Sequence, residues 1–131
     1  MTERLTTAGV AVDGDKILVA RRLPGGPLSL KWEFVGGKNR YGESIGDTLV
    51  REWMEELSLS VEVGEYLTET AFDNAGVHYT LKCHRVTIRG GEIKLSVHSE
   101  VMWAGRKELE RLDFGPSDGV LRDWIVENNL I

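Results

Sequence analysis

One cysteine in 131 residues, Cys83, excludes an internal disulfide and fits a reducing compartment. It has no His/Asp constellation around it and reads as a small buried side chain. The three histidines lack ligand spacing. His78 and His84 sit in a strand-like stretch and read as surface or structural residues, and His98 lies shortly before Trp103. No apolar run is long enough to span a bilayer and no signal-peptide pattern opens the sequence, so a cytoplasmic protein without a membrane partner is expected. An excess of basic residues is missing too. The net charge of −5 argues against nucleic acid as the main partner, but a few local cations and a metal can still hold a small phosphate compound. Neither an internal repeat nor a low-complexity tract is found.

What is present suits one domain over residues 1–131, with 41% hydrophobic residues to build its core. Thr6 to Val12 and Lys16 to Arg22 read as a hairpin around Asp13-Gly14. Leu23 to Leu30 is a loop, and Lys31 to Lys38 is a short strand running into a glycine turn. Ser60 to Tyr66, Thr68 to Phe72, His78 to Ile88, Glu92 to Leu95 and Val101 to Ala104 read as further strands. Lys107 to Leu112 and Pro116 to Asn128 read as helices, the second with Pro at its start and Val120, Leu121, Trp124 and Ile125 inward.

The chain is organised around Gly36 to Leu59. Ser44 with Asp47 three residues later forms a capping-box-like pattern, so a helix follows. Ile45, Leu49, Trp53 and Leu57 recur every fourth position as an apolar stripe. Glu52 and Glu56 lie along or beside that stripe, and Glu55 falls about 80° to 100° further round. Half-buried carboxylates so arranged repel one another, and Arg51 can neutralise only part of the cluster. Magnesium or manganese is the natural partner of clustered carboxylate oxygens.

Gly37, Glu43, Arg51, Glu52, Glu55, Glu56 and Leu59 keep every spacing of the Nudix box, and the chain resembles that family in its MutT-like branch. Trp53 stands where a smaller aliphatic is usual, and Ser58 where Gly is usual, which predicts a reshaped helix end. Trp32 to Lys38 resembles the Trp-Glu-Phe-Pro-Gly-Gly-Lys of MutT-like members, with Val35 in place of Pro. The resemblance implies an α/β (α+β) fold: an α/β/α sandwich with a mixed β-sheet, the box helix and the C-terminal helix.

It further implies hydrolysis of a nucleoside triphosphate, or another nucleoside diphosphate derivative, to nucleoside monophosphate and pyrophosphate, with magnesium or manganese as cofactor. Nucleotide-pool sanitising would be the setting. Glu52, Glu55 and Glu56 are then metal ligands, joined by the Gly37 carbonyl, with Glu100 the nearest replacement for a ligand whose usual place holds Val97. Glu52 or Glu56 positions or deprotonates the water, and Arg51 holds Glu43 or Glu55. Arg22 clamps phosphate, and Lys38 is either solvated or neutralises it. Asp118 either reads the base, with a lean to cytidine or oxidised nucleotides, or complements its helix dipole. The partner is a small nucleotide, and the protein a monomer or homodimer. A non-catalytic nucleotide-binding or sensor module of the same fold is the alternative.

Overall fold

A computed structural model describes residues 2–131. The hairpin forms around Asp13-Gly14, but its first arm begins earlier than the alternation predicts. β1 spans Thr2–Asp13 and β2 spans Lys16–Arg22. The extension has a partner: β1 runs parallel to β5 (Val77–Gly91) from Thr2 opposite Val77 to Ala11 opposite Val86. β5 pairs antiparallel with β4, which spans Leu59–Asn74 as one strand with irregularities near Tyr66. β2 carries β3 (Trp32–Glu33) on one edge and β6 (His98–Ala104) on the other, both antiparallel. One parallel pair among antiparallel ones makes the sheet mixed, in the order β3-β2-β1-β5-β4 with β6 beside β2. Glu92 to Leu95 is not a strand. This stretch runs past the end of the box helix instead, where the Lys94 N–H bonds the Leu57 carbonyl.

Helices cover both faces, as the apolar patterns require. α1 (Ile45–Leu57) presses Leu49, Trp53 and Leu57 onto Ala11, Leu18, Ala20 and Val86. On the opposite face, α2 (Arg106–Arg111) and α3 (Pro116–Glu127) press Leu109, Leu121 and Ile125 onto Val10, Ile17, Val19 and Cys83. Val120, expected inward, is 50% exposed. Among the described residues no helix is long and apolar enough to cross a membrane.

Candidate active site

The box helix is locked at its start and along its flank. The Ser44 hydroxyl accepts from the Asp47 N–H at 3.0 Å, and the Asp47 carboxylate accepts from the Ser44 N–H at 3.3 Å. Trp53 is fully buried, and its indole N–H donates to the Val35 carbonyl at 3.0 Å. Space for it exists because residue 9 is glycine: a Cβ there would lie 2.5 Å from the indole nitrogen. The helix does not change course at Ser58. That residue takes the left-handed conformation a glycine would adopt (φ 59°, ψ 33°), so the turn survives at the cost of backbone strain.

Docked this way, α1 turns its carboxylates toward the glycine turn. Glu52 packs so closely on Gly37 that a Cβ there would lie 2.5 Å from its carboxyl carbon. Arg51 joins three carboxylates. Its Nε meets Glu43 Oε2 at 2.7 Å, while its Nη1 meets Glu52 Oε1 at 2.6 Å and Glu55 Oε2 at 3.3 Å. It also donates to the Lys38 carbonyl at 3.1 Å, tying the helix to the turn. The guanidinium holds the Glu43 carboxyl down at about 2, helped by the Arg40 N–H and the Thr48 hydroxyl.

Glu56 is in the opposite situation. It is buried, and its Oε2 has no hydrogen-bond partner. Burial pushes its carboxyl up to about 9, the Glu52 and Glu33 carboxylates add to the rise, and Arg22 opposes it. An orphaned buried carboxyl beside a second carboxylate fits a hard divalent cation.

The Gly37 carbonyl does not join this donor set. It already accepts from the Thr7 N–H and the Thr7 hydroxyl, both at 2.9 Å. Val35, like Gly37, accepts from β1, through the Gly9 N–H at 2.8 Å. Carbonyls alternate along an extended segment, so it is the Gly36 carbonyl that faces away from β1, in the cleft that Gly36 lines. Glu100 is not brought in either. Between Arg22 and Arg21 the pairing of β2 with β6 shifts by one residue, at Ser99. Glu100 therefore pairs with Arg21 and shares its face of the sheet, whereas His98 pairs with Arg22 on the face of Glu56.

Glu33 and His98 are the residues that come to Glu56. His98 Nε2 lies 2.9 Å from Glu33 Oε2 and 3.8 Å from Glu56 Oε1, and Glu33 Oε1 lies 3.4 Å from Arg22 Nη1. Glu33 had a visible signal, a carboxylate between two core aromatics. His98 had none, because the bulge that turns it inward leaves no mark in the residue spacing.

Arg22, Lys38, Glu52, Glu55 and Glu56 line one cleft of about 510 Å³, and Arg4 and Arg40 complete its rim. The sequence reading missed both rim arginines, since neither belongs to a spaced motif. A neighbouring groove of about 420 Å³ also borders Arg4 but has only Glu3 as a carboxylate. Asp118 does not line this cleft. Its Oδ1 accepts from the Phe34 N–H at 3.1 Å, next to the stacked rings of Phe34 and Phe114. Burial lifts its carboxyl to about 7, with Glu33 contributing and the Phe34 N–H opposing.

Residues 3–125 match the NUDIX domain model. A Mycobacterium tuberculosis protein provisionally named 8-oxo-dGTP diphosphatase 2 is 35% identical over 130 residues, covering 97% of this chain and 89% of its own. The CTP pyrophosphohydrolase of Escherichia coli is 32% identical over 103 residues, covering 79% and 76%. Among solved structures, the solution structure of the E. coli ORF135 protein superposes with a TM-score of 0.84 at 27% identity, covering 98% of this chain and 92% of that one. A MutT protein from Methanosarcina mazei reaches 0.82 at 19% identity, covering 98% and 94%.

Proposed function

This chain belongs to the NUDIX family and is a hydrolase of that family, and on that premise we propose that it cleaves a nucleoside triphosphate to nucleoside monophosphate and pyrophosphate. The observation that carries the reading is the shared cleft, lined by the box carboxylates together with the cations Arg22 and Lys38. Carboxylates alone would repel a polyphosphate, and cations alone would bind it without activating water. Glu52, Glu55 and Glu56, with the Gly36 carbonyl, are the groups that would hold magnesium or manganese, which when bound neutralises diphosphate oxygens and acidifies water.

The remaining work falls to side chains of this protein. Arg22 and Lys38 orient the phosphates. Glu52 or Glu56 takes the proton of the attacking water. Arg51 fixes Glu52 and Glu55 against Glu43. Asp118 reads the base, held in place by the Phe34 N–H that its Oδ1 accepts. Relatives named for 8-oxo-dGTP and for CTP support a choice between those two nucleotide classes. The enzyme would act in the cytoplasm on small nucleotides and not on nucleic acid, as a monomer or homodimer, which agrees with its net charge of −5.

A panel of nucleoside tri- and diphosphates with magnesium, scored for monophosphate and pyrophosphate, tests the reading. Release of monophosphate and pyrophosphate from a triphosphate is expected. Binding of a triphosphate without turnover would favour the sensor alternative.

A further inference from the structure

The cations of the cleft are not equally committed. Arg22 already pairs with Glu33. Arg40 has its backbone fixed, because its N–H donates to Glu43 Oε1 at 2.9 Å, yet its guanidinium touches only Glu55, at 4.0 Å. Arg4 donates to the neutral carbonyl of Asn39 at 3.2 Å and, among the described residues, has no carboxylate partner. Both side chains are exposed on the rim. Two guanidinium groups that line one cleft and are short of acceptors suit a doubly charged phosphate that offers several oxygens.

A run of contacts also leads from Asp118, outside the cleft, to the rim of the cleft. Asp118 is bonded to Phe34, and Glu33 beside it contacts Arg22 and His98. His98 approaches Glu56, on the box helix. Glu55, one residue before Glu56, leads to Arg40. A nucleotide whose base lies at Asp118 and whose scissile linkage lies over the box carboxylates has its tail at Arg40 and Arg4. The carboxylates that hold a divalent ion also cancel its charge, so the outermost phosphate needs cations of its own.

Resting on the triphosphate reading above, we propose that Arg4 and Arg40 form a clamp for the terminal phosphate, which makes the cleft selective for nucleoside triphosphates over diphosphates. The clamp acts on substrate length and not on the bond that breaks. It also holds the outer half of the pyrophosphate product.

Calorimetric titration with magnesium tests this without turnover. The probes are the α,β-methylene analogues of one nucleoside triphosphate and of its diphosphate, which resist cleavage at the scissile position. Arg4→Gln and Arg40→Gln are each expected to weaken triphosphate binding about three- to tenfold and diphosphate binding less than about twofold. Arg40→Lys should recover part of the loss. Both side chains are exposed, so melting temperatures should stay close to that of the parent, and a variant that still melts normally is a fair test. Equal losses for the two analogues, or no loss for either, would overturn the clamp. A parent that hydrolyses triphosphates but binds both analogues equally well would overturn the clamp alone. A parent that binds neither would remove the nucleotide reading and the clamp with it.

Discussion

Arg51 grips Glu43 with two nitrogens, Nε at 2.7 Å from Oε2 and Nη2 at 3.0 Å from Oε1. The pair joins the loop before the box helix to the middle of that helix, and both side chains are largely buried. Arg51→Ala leaves three carboxylates without their shared partner and should lower the melting temperature by roughly 5–10 °C as well as the activity. The Glu43 carboxyl is depressed to about 2, so the stability it contributes is full above pH 4.5 and is lost as the pH falls through about 2. Acid titration followed by circular dichroism should show a steeper loss in the parent than in Glu43→Gln across that window. Superimposable acid limbs would refute the linkage.

Glu52→Gln and Glu56→Gln should each lower kcat by about a hundredfold or more with the fold preserved. The two should part company in stability. Burial raises the Glu56 carboxyl, so the metal-free parent loses stability as the pH climbs from about 4.5 toward 9, and Gln at position 56 does not titrate. Metal-free Glu56→Gln should therefore melt at or above the parent at pH 8, and magnesium should stabilise it less than it does the parent. Near-normal rates in both variants at saturating magnesium would remove the roles given to these residues.

Asp118 titrates where enzymes work. Its carboxyl, raised to about 7, is fully stabilising below about 3.8 and progressively less so up to 7. The melting-temperature advantage of Asp118→Asn over the parent should grow across that interval and then level off. The same ionisation should change base preference. A carboxylate accepts from the N4 amine of cytosine, whereas the protonated acid can donate to an oxidised guanine. The ratio of kcat/KM for CTP to that for 8-oxo-dGTP should rise with pH through about 7 in the parent and stay flat in Asp118→Asn. Parallel ratios in the two proteins would show that Asp118 does not read the base.

Ser58→Gly should stabilise the protein by about 0.5–1 kcal/mol, because the serine holds a left-handed φ of 59° that glycine adopts without strain. Chemical denaturation measures the gain. A loss of stability would mean that the serine side chain contributes more than its backbone costs.

Much of this site was legible because it is local. Arg51, Glu52, Glu55 and Glu56 lie within two helical turns of one another, and helix geometry fixes their relation before any folding partner is known. Ser44 with Asp47 announced where the helix begins. Contacts across the sheet were not legible. His98 reaches Glu33 over 65 positions through a one-residue slip between two strands, and the same slip puts Glu100 on the other face. Thr7 engages the Gly37 carbonyl over 30 positions, which a motif read along the chain cannot see. Arg4 and Arg40 reach one cleft only when β1 passes the glycine turn, where Arg4 meets the Asn39 carbonyl. The strand expected at Glu92 to Leu95 failed for a similar reason. Alternation of side chains describes a face, but a strand also needs a free edge to pair with, and this stretch meets the end of a helix.

The missing side chain at Gly9 has a consequence that reaches beyond this molecule. The Trp53 indole occupies the space a methyl group at position 9 would need, and its N–H is anchored on Val35. The two positions therefore form one unit of inheritance. A lineage that gains any side chain at position 9 must first trade Trp53 for something smaller. A lineage that keeps the tryptophan keeps the glycine. Among relatives, tryptophan at position 53 should be accompanied by glycine at position 9, although 44 positions separate them.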